Sequence, residues 1–282
     1  MKIAVRARLR GLQKRASAAR RRLRRSGPPV LVYQMGKVGS STVVASLRES
    51  DPSLEVLHVH LLEDLDALEA QARATYPDPS ETVKQIEWGR RLRERIRRSP
   101  DTQWCVITLV RDPVQRNVSA FFENLTEVIP DAYERRARGD LTAAELLDAF
   151  LERYDHHAPL SWFQAQLQPV FDVDVFATPF DPDRGWALYE SPRARVLLVR
   201  LEDLTGTGER AIREFLGLEV FRLRTANTGH DKPYAAMYAE FGREVGLPAD
   251  YLDRMYDSAV ARHFYSDAEI DAQRRRWTKV DG

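Results

Sequence analysis

The run Tyr33-Gln34-Met35-Gly36-Lys37-Val38-Gly39-Ser40-Ser41-Thr42 packs two glycines, a lysine and three aliphatic hydroxyls into ten residues. Where such a run joins a strand to a helix, the N–H groups of the first helical turn and the positive end of its dipole form an anion site. Gly36 and Gly39 let main chain approach a ligand closely, Lys37 adds a mobile charge, and Ser40, Ser41 and Thr42 add donors. A second run, Arg111-Asp112-Pro113-Val114-Gln115-Arg116-Asn117-Val118-Ser119, follows the apolar stretch Val106 to Val110. Open α/β sheets bind ligands at the carboxyl ends of their strands, which is where Arg111 falls. Arg111 can grip a phosphate with two N–H groups while Ser119, two turns along the next helix, donates its hydroxyl. Arg116 shares a helix face with Ser119. The competing readings are an ordinary strand–turn–helix connection and an Arg111 paired with Asp112.

His58-Val59-His60-Leu61 supplies candidate bases, since histidine titrates near neutral pH. The two histidines are expected to leave opposite faces of a strand, so that one of them reaches the site. Glu63 and Glu123 are rival carboxylates. His156-His157 reads as a loop pair near an acceptor pocket, because no further ligands stand at metal-binding spacing. Trp162, Phe163, Phe171 and Phe176 read as core.

The elements that must hold these residues follow from apolar runs and stop signals. Val30 to Tyr33, Val56 to Val59, Trp104 to Val110, Val173 to Phe176 and Val196 to Leu201 read as strands. Helices are expected over 40–49, 61–73, 81–98 and from Pro113, with Asp112 as its N-cap. Thr142-x-x-Glu145 and Ser266-x-x-Glu269 are capping boxes for two later helices. Buried strands alternating with helices imply an α/β fold with a central parallel sheet flanked by helices. Residues 178–195 give no clear signal.

The chain has 282 residues, 43% hydrophobic and 30% charged, which is the balance of a globular protein. No apolar run approaches the roughly 20 residues of a membrane-spanning helix. One cysteine, Cys105, excludes an internal disulfide and a cysteine metal cluster, and points to a reducing compartment. The formal charge of +1 conceals an asymmetry: residues 1–25 carry eleven of the 43 basic residues and no acid, so the remainder has 32 bases against 42 acids. Ser26-Gly27-Pro28-Pro29 separates residues 1–26, a basic arm, from one domain over 27–282. The arm has no apolar core of a secretory signal. It reads as a solvated tail with weak attraction to an anionic membrane surface, and not as a specific nucleic-acid arm. The expected location is the cytoplasm, with any membrane contact peripheral and at the inner face.

Together the two runs resemble the sulfotransferases that use 3′-phosphoadenosine-5′-phosphosulfate (PAPS). In that family a Lys-x-Gly-Ser/Thr-Ser/Thr loop holds the 5′-phosphosulfate, as Lys37-Val38-Gly39-Ser40-Ser41 would. An Arg and a Ser eight positions apart hold the 3′-phosphate, as Arg111 and Ser119 would. Arg-Asp-Pro followed by Arg and Ser-Ala-Phe is similar to the carbohydrate-modifying branch, and Leu201-Glu202-Asp203-Leu204 to a late element of the fold. More narrowly, the chain resembles bacterial capsular polysaccharide synthesis proteins over about 28 to 278, with Asn227, Lys232 and Tyr234 filling a late Asn…Lys-x-Tyr segment. The resemblance implies a P-loop NTPase-like sulfotransferase fold and PAPS as sulfuryl donor without a metal. The acceptor would be a glycan or small-molecule hydroxyl. Its binding residues would be Gly36, Lys37, Val38, Gly39, Ser40, Ser41, Thr42, Arg111, Ser119 and Lys232, with Lys37 and His60 in the chemistry. His60 is chosen over His58 by likeness to the family's Thr-His-Leu-Pro segment. Two features depart from the cytosolic members: Val43 stands where an adenine-stacking aromatic is usual, and the late Gly-x-x-Gly-x-x-Lys segment is missing.

Two other classes compete. A P-loop kinase or NTPase needs Gly-Lys-Ser/Thr in the loop and an Asp ending the apolar strand; here Lys37 precedes Val38, and Arg111 ends the strand. A non-catalytic protein on the same fold, binding a nucleotide or a polyanion, is the other.

Overall fold

A computed structural model describes residues 29–75, 79–224 and 232–278. The basic arm, the 26/27 boundary and Asn227 lie outside the described residues. Five strands form one sheet: β1 (Val30–Tyr33), β2 (Val56–Val59), β3 (Trp104–Val110), β4 (Trp186–Glu190) and β5 (Ala194–Arg200). Their order is β2-β1-β3-β5-β4, with every pairing parallel except β4 against β5. The strands β1, β3 and β5 are buried along almost their whole length, as a sheet covered by helices on both faces requires. The expected α/β class is therefore the observed one.

From β1 the chain crosses to one side to make β2, then returns to the other side of β1 to make β3. The carboxyl ends of β1 and β3 thus flank the point where the strand order reverses, the crevice in which open α/β sheets bind ligands. Both chemistry-bearing runs begin there. The helix α1 (Ser40–Ser50) follows β1, α2 (Leu65–Thr75) and α3 (Ser80–Arg97) follow β2, and α4 (Pro113–Glu123) follows β3. Asp112 caps α4 as expected, its Oδ1 accepting the Gln115 N–H at 2.7 Å with Pro113 in the first turn. Both capping boxes are present, at Thr142/Glu145 and Ser266/Glu269.

Two expectations about the elements are corrected. Val173 to Phe176 is a turn, because Asp174 Oδ1 accepts the Phe176 N–H at 2.9 Å and bends the chain. The fifth strand is instead β4, inside 178–195. As an antiparallel edge strand it buries only Tyr189 fully and leaves Leu188 half exposed, so it carries no buried-strand signature. The second helix starts at Leu65 and not at 61. Residues 61–64 turn beneath α3, where a Cβ on Gly89 would come within 2.4 Å of the Leu61 carbonyl oxygen. Trp162, Phe163 and Phe171 are in the core, with Phe176 packed against it.

Candidate functional site

The loop between β1 and α1 is held from below. Met35 and Val38 bury their side chains, and Gln34 is fully buried. Val38 can therefore offer a ligand only main-chain atoms. Lys37 adopts a left-handed φ of 71° and Gly39 one of 88°. A Cβ on Gly39 would lie 2.5 Å from Leu201 Cδ1, so the segment Leu201–Leu204 backs the loop directly. Gly39 precedes α1 without any side-chain cap on the helix, and Gly36 has open space above it. Ser41 is exposed and Ser40 buried at the helix start. Val43 is buried and cannot stack on a base.

Two guanidiniums brace the loop. Arg111 donates from Nη1 to the Lys37 carbonyl at 3.0 Å. Arg116, only 8% exposed, donates from Nε to the Gly36 carbonyl at 3.2 Å and from Nη1 to Asn117 Oδ1 and the Tyr154 hydroxyl. Neither forms an ion pair with an acid among the described residues. Asp112 is occupied by its cap and by the Tyr256 hydroxyl, and burial pushes its carboxyl up to about 6. Glu202 accepts the Asp112 N–H at 2.9 Å and the Tyr265 hydroxyl at 3.1 Å, so it too serves the scaffold. The reading in which Arg111 pairs with Asp112 thus fails. Arg116 is buried and Arg111 half-buried, and a desolvated cation without a carboxylate partner carries a cost that an anionic ligand relieves. The sequence hinted at Arg116 only through its shared helix face with Ser119; its grip on Gly36 had no signature in the spelling. Ser119 is half-buried one turn beyond Arg116, and its side chain makes no hydrogen bond among the described residues.

His60 lies at the carboxyl end of β2. Its Nδ1 is 2.8 Å from the Gln34 carbonyl, which can only accept, so Nδ1 carries the proton and Nε2 is the unprotonated nitrogen. His58 stands in edge contact with it, the ring centroids 4.7 Å apart, and its Nε2 is 3.1 Å from the Gln34 side-chain nitrogen. The expectation of opposite faces is therefore corrected: residues two apart share a strand face, and both histidines reach Gln34. Burial pulls both imidazoles below the usual histidine value, His58 to about 4. Both are therefore neutral near pH 7. His156 is not at this site. It is buried in an aromatic box, Nε2 on the Phe150 carbonyl at 2.8 Å and its ring beside Tyr251. The reading of His156-His157 as an acceptor-pocket pair does not hold for His156. Glu63 pairs with Arg93, and its main chain is pinned by Gln166, which also receives the Tyr33 hydroxyl.

Glu123, the last residue of α4, gathers what the sequence left scattered. Its Oε2 accepts from Lys37 Nζ at 3.0 Å and from the Tyr234 hydroxyl, and its Oε1 from Lys232 Nζ at 3.2 Å. Burial pushes this carboxyl up, but the bonds from Tyr234 and Lys37 outweigh it and hold it at about 2. Burial lowers the Lys37 amine, against the opposite pull of Glu123. Lys37 and Lys232, 195 positions apart in the chain, thus meet at one point.

Residues 141–266 match the family model described as "putative capsular polysaccharide synthesis protein". The chain is similar to that capsular polysaccharide family. The matched stretch is less than half of the chain and narrower than the expected 28–278. It contains Leu201–Leu204, Lys232 and Tyr234, whereas the Lys37 loop and Arg111 precede it. No curated protein and no solved structure matches the chain. Among the described residues no helix is long and apolar enough to cross a membrane, and no group of three or more His, Cys, Asp or Glu could hold a metal ion.

Proposed function

We propose that this protein is a PAPS-dependent sulfotransferase that moves a sulfuryl group to a hydroxyl of a glycan or related acceptor in capsular or cell-surface polysaccharide synthesis. The observation that carries the reading is the crevice between β1 and β3. There Arg111 and Arg116, without acid partners among the described residues, brace the loop that presents Lys37 and the uncapped start of α1. That is a site built for a multiply charged oxyanion. The residues fit the donor in kind: main-chain N–H groups and Lys37 for the phosphosulfate, and Arg111 with Ser119 for the 3′-phosphate.

In this reading His60 Nε2 takes the proton of the acceptor hydroxyl as its oxygen bonds to sulfur. The bond from sulfur to the bridging oxygen breaks, and Lys37 stabilises the electron pair left on that oxygen. The Gln34 carbonyl holds the tautomer that keeps Nε2 free. A kinase reading is disfavoured because Asp112, the acid nearest the end of β3, is buried, engaged as a cap and raised to about 6, which suits it poorly to Mg²⁺. The test is transfer of labelled sulfate from PAPS across a panel of polysaccharide acceptors. Wild type should label at least one acceptor, and Lys37→Ala should lose on the order of 10²–10³ in rate, as removal of an oxyanion donor does.

A further inference from the structure

Glu123 ends α4, where the negative end of the helix dipole opposes a carboxylate. It is held there by three donors from two distant stretches of chain: Lys37 from the β1–α1 loop, and Lys232 with Tyr234 from the start of the region leading into the helix Ala235–Glu244. Each donor is aimed at one of two carboxylate oxygens, and Lys232 lies near enough to add to the lowering of the Lys37 amine. Lys37 cannot both contact a ligand's oxyanion and keep this bond with full strength. Among the described residues Lys232 pairs with Glu123 alone.

We propose that Lys37, Lys232 and Tyr234 together form the pocket for the transferred tetrahedral oxyanion, and that Glu123 fills it in the resting protein as a counter-anion which the ligand displaces. The proposal deepens the sulfotransferase reading, on which its choice of a sulfuryl group rests. A sulfate oxygen takes the place of each carboxylate oxygen, with Tyr234 donating its phenolic hydrogen to one of them. Glu123 keeps the lysines charged and gathered without a ligand, and it competes with every anion that enters. A charge-neutral residue at 123 therefore binds oxyanions more tightly, which a merely structural carboxylate does not.

The experiment titrates inorganic sulfate and, separately, 3′-phosphoadenosine 5′-phosphate into wild type, Glu123→Gln, Lys37→Met and the double variant at low ionic strength. Glu123→Gln is expected to bind sulfate about tenfold more tightly than wild type, and the gain is expected to vanish in the Lys37→Met background. Unchanged or weaker sulfate binding by Glu123→Gln, or a gain that persists without Lys37, overturns the proposal. If sulfate shows the gain and the nucleotide binds no variant, the pocket stands and the PAPS reading fails. Should Glu123→Gln not fold, carboxyl NMR of wild type decides. Saturating sulfate is expected to raise the Glu123 titration from about 2 toward the ordinary carboxylate range, and an unmoved titration overturns the proposal.

Discussion

Arg111 offers the sharpest division between a ligand contact and a structural one. In the structure it makes one hydrogen bond, Nη1 to the Lys37 carbonyl at 3.0 Å, and no ion pair among the described residues. Arg111→Ala therefore removes a loop brace and, in the proposed reading, the clamp on a 3′-phosphate. The brace is an ordinary hydrogen bond to main chain, and its loss costs about 1 kcal/mol, or about fivefold, for any ligand of the loop. The clamp is a bond between charged groups, and its loss costs a further ~1.5–3 kcal/mol, roughly 10- to 150-fold, for ligands with a 3′-phosphate alone. Calorimetry on wild type and Arg111→Ala should thus show a loss for 3′-phosphoadenosine 5′-phosphate at least tenfold greater than for adenosine 5′-phosphosulfate, which lacks that group. Thermal melts should fall only slightly, because Arg111 is not part of the core. Equal losses for the two nucleotides would refute the assignment and leave Arg111 as a brace.

His60→Ala should abolish most turnover while leaving nucleotide affinity intact; His58→Ala should be milder, since it removes the acceptor of the Gln34 amide and the ring packed against His60 but not the base itself. Because burial lowers the His60 imidazole, the acid limb of the rate profile should lie below pH 6.5, and a limb above that value excludes His60 as the base. His58 and His156 are held at about 4 when folded, so they bind protons more readily when unfolded; thermal stability should fall as pH drops from about 6.5 through 4, less steeply in His156→Gln. Asp112, raised to about 6, acts in the opposite sense, and Asp112→Asn should steepen that fall. Gly39→Ala should destabilise by about 1–2 kcal/mol for its left-handed φ alone, with a further loss from the contact at Leu201 that Leu201→Ala relieves. Removing residues 1–26 should leave a folded protein that no longer adsorbs to anionic vesicles at low salt; loss of folding would place the arm within the domain.

The parts of this molecule that were legible in sequence are those whose signal is local. The strands β1 and β3 read as unbroken apolar runs because both faces of the sheet are covered, β2 read from Val56, Leu57 and Val59, and Asp112-Pro113 and the two capping boxes carry their hydrogen bonds within four residues. Strand β4 escaped because it buries little beyond Tyr189, whereas the other edge strand, β2, buries Val56, Leu57 and Val59. Val173 to Phe176 misled because the alternation Val-Asp-Val-Phe fits a strand, while the Asp174 side chain bends its own backbone. At the site, the loop and Arg111 were visible as motifs. The Glu123 cluster was not, since it joins positions 37, 123, 232 and 234 through tertiary packing alone. Arg116 was hidden for the same reason: only the fold brings its guanidinium to the Gly36 carbonyl.

The measurement closest to the central claim is calorimetric titration of the full chain with 3′-phosphoadenosine 5′-phosphate, ATP and AMP under one buffer. In the proposed reading Arg111 and Ser119 hold a 3′-phosphate, so the chain should bind the 3′-phosphorylated nucleotide at least tenfold more tightly than either of the others, without added Mg²⁺. Preference for ATP, or no binding of the 3′-phosphorylated nucleotide at millimolar concentration, would contradict the account.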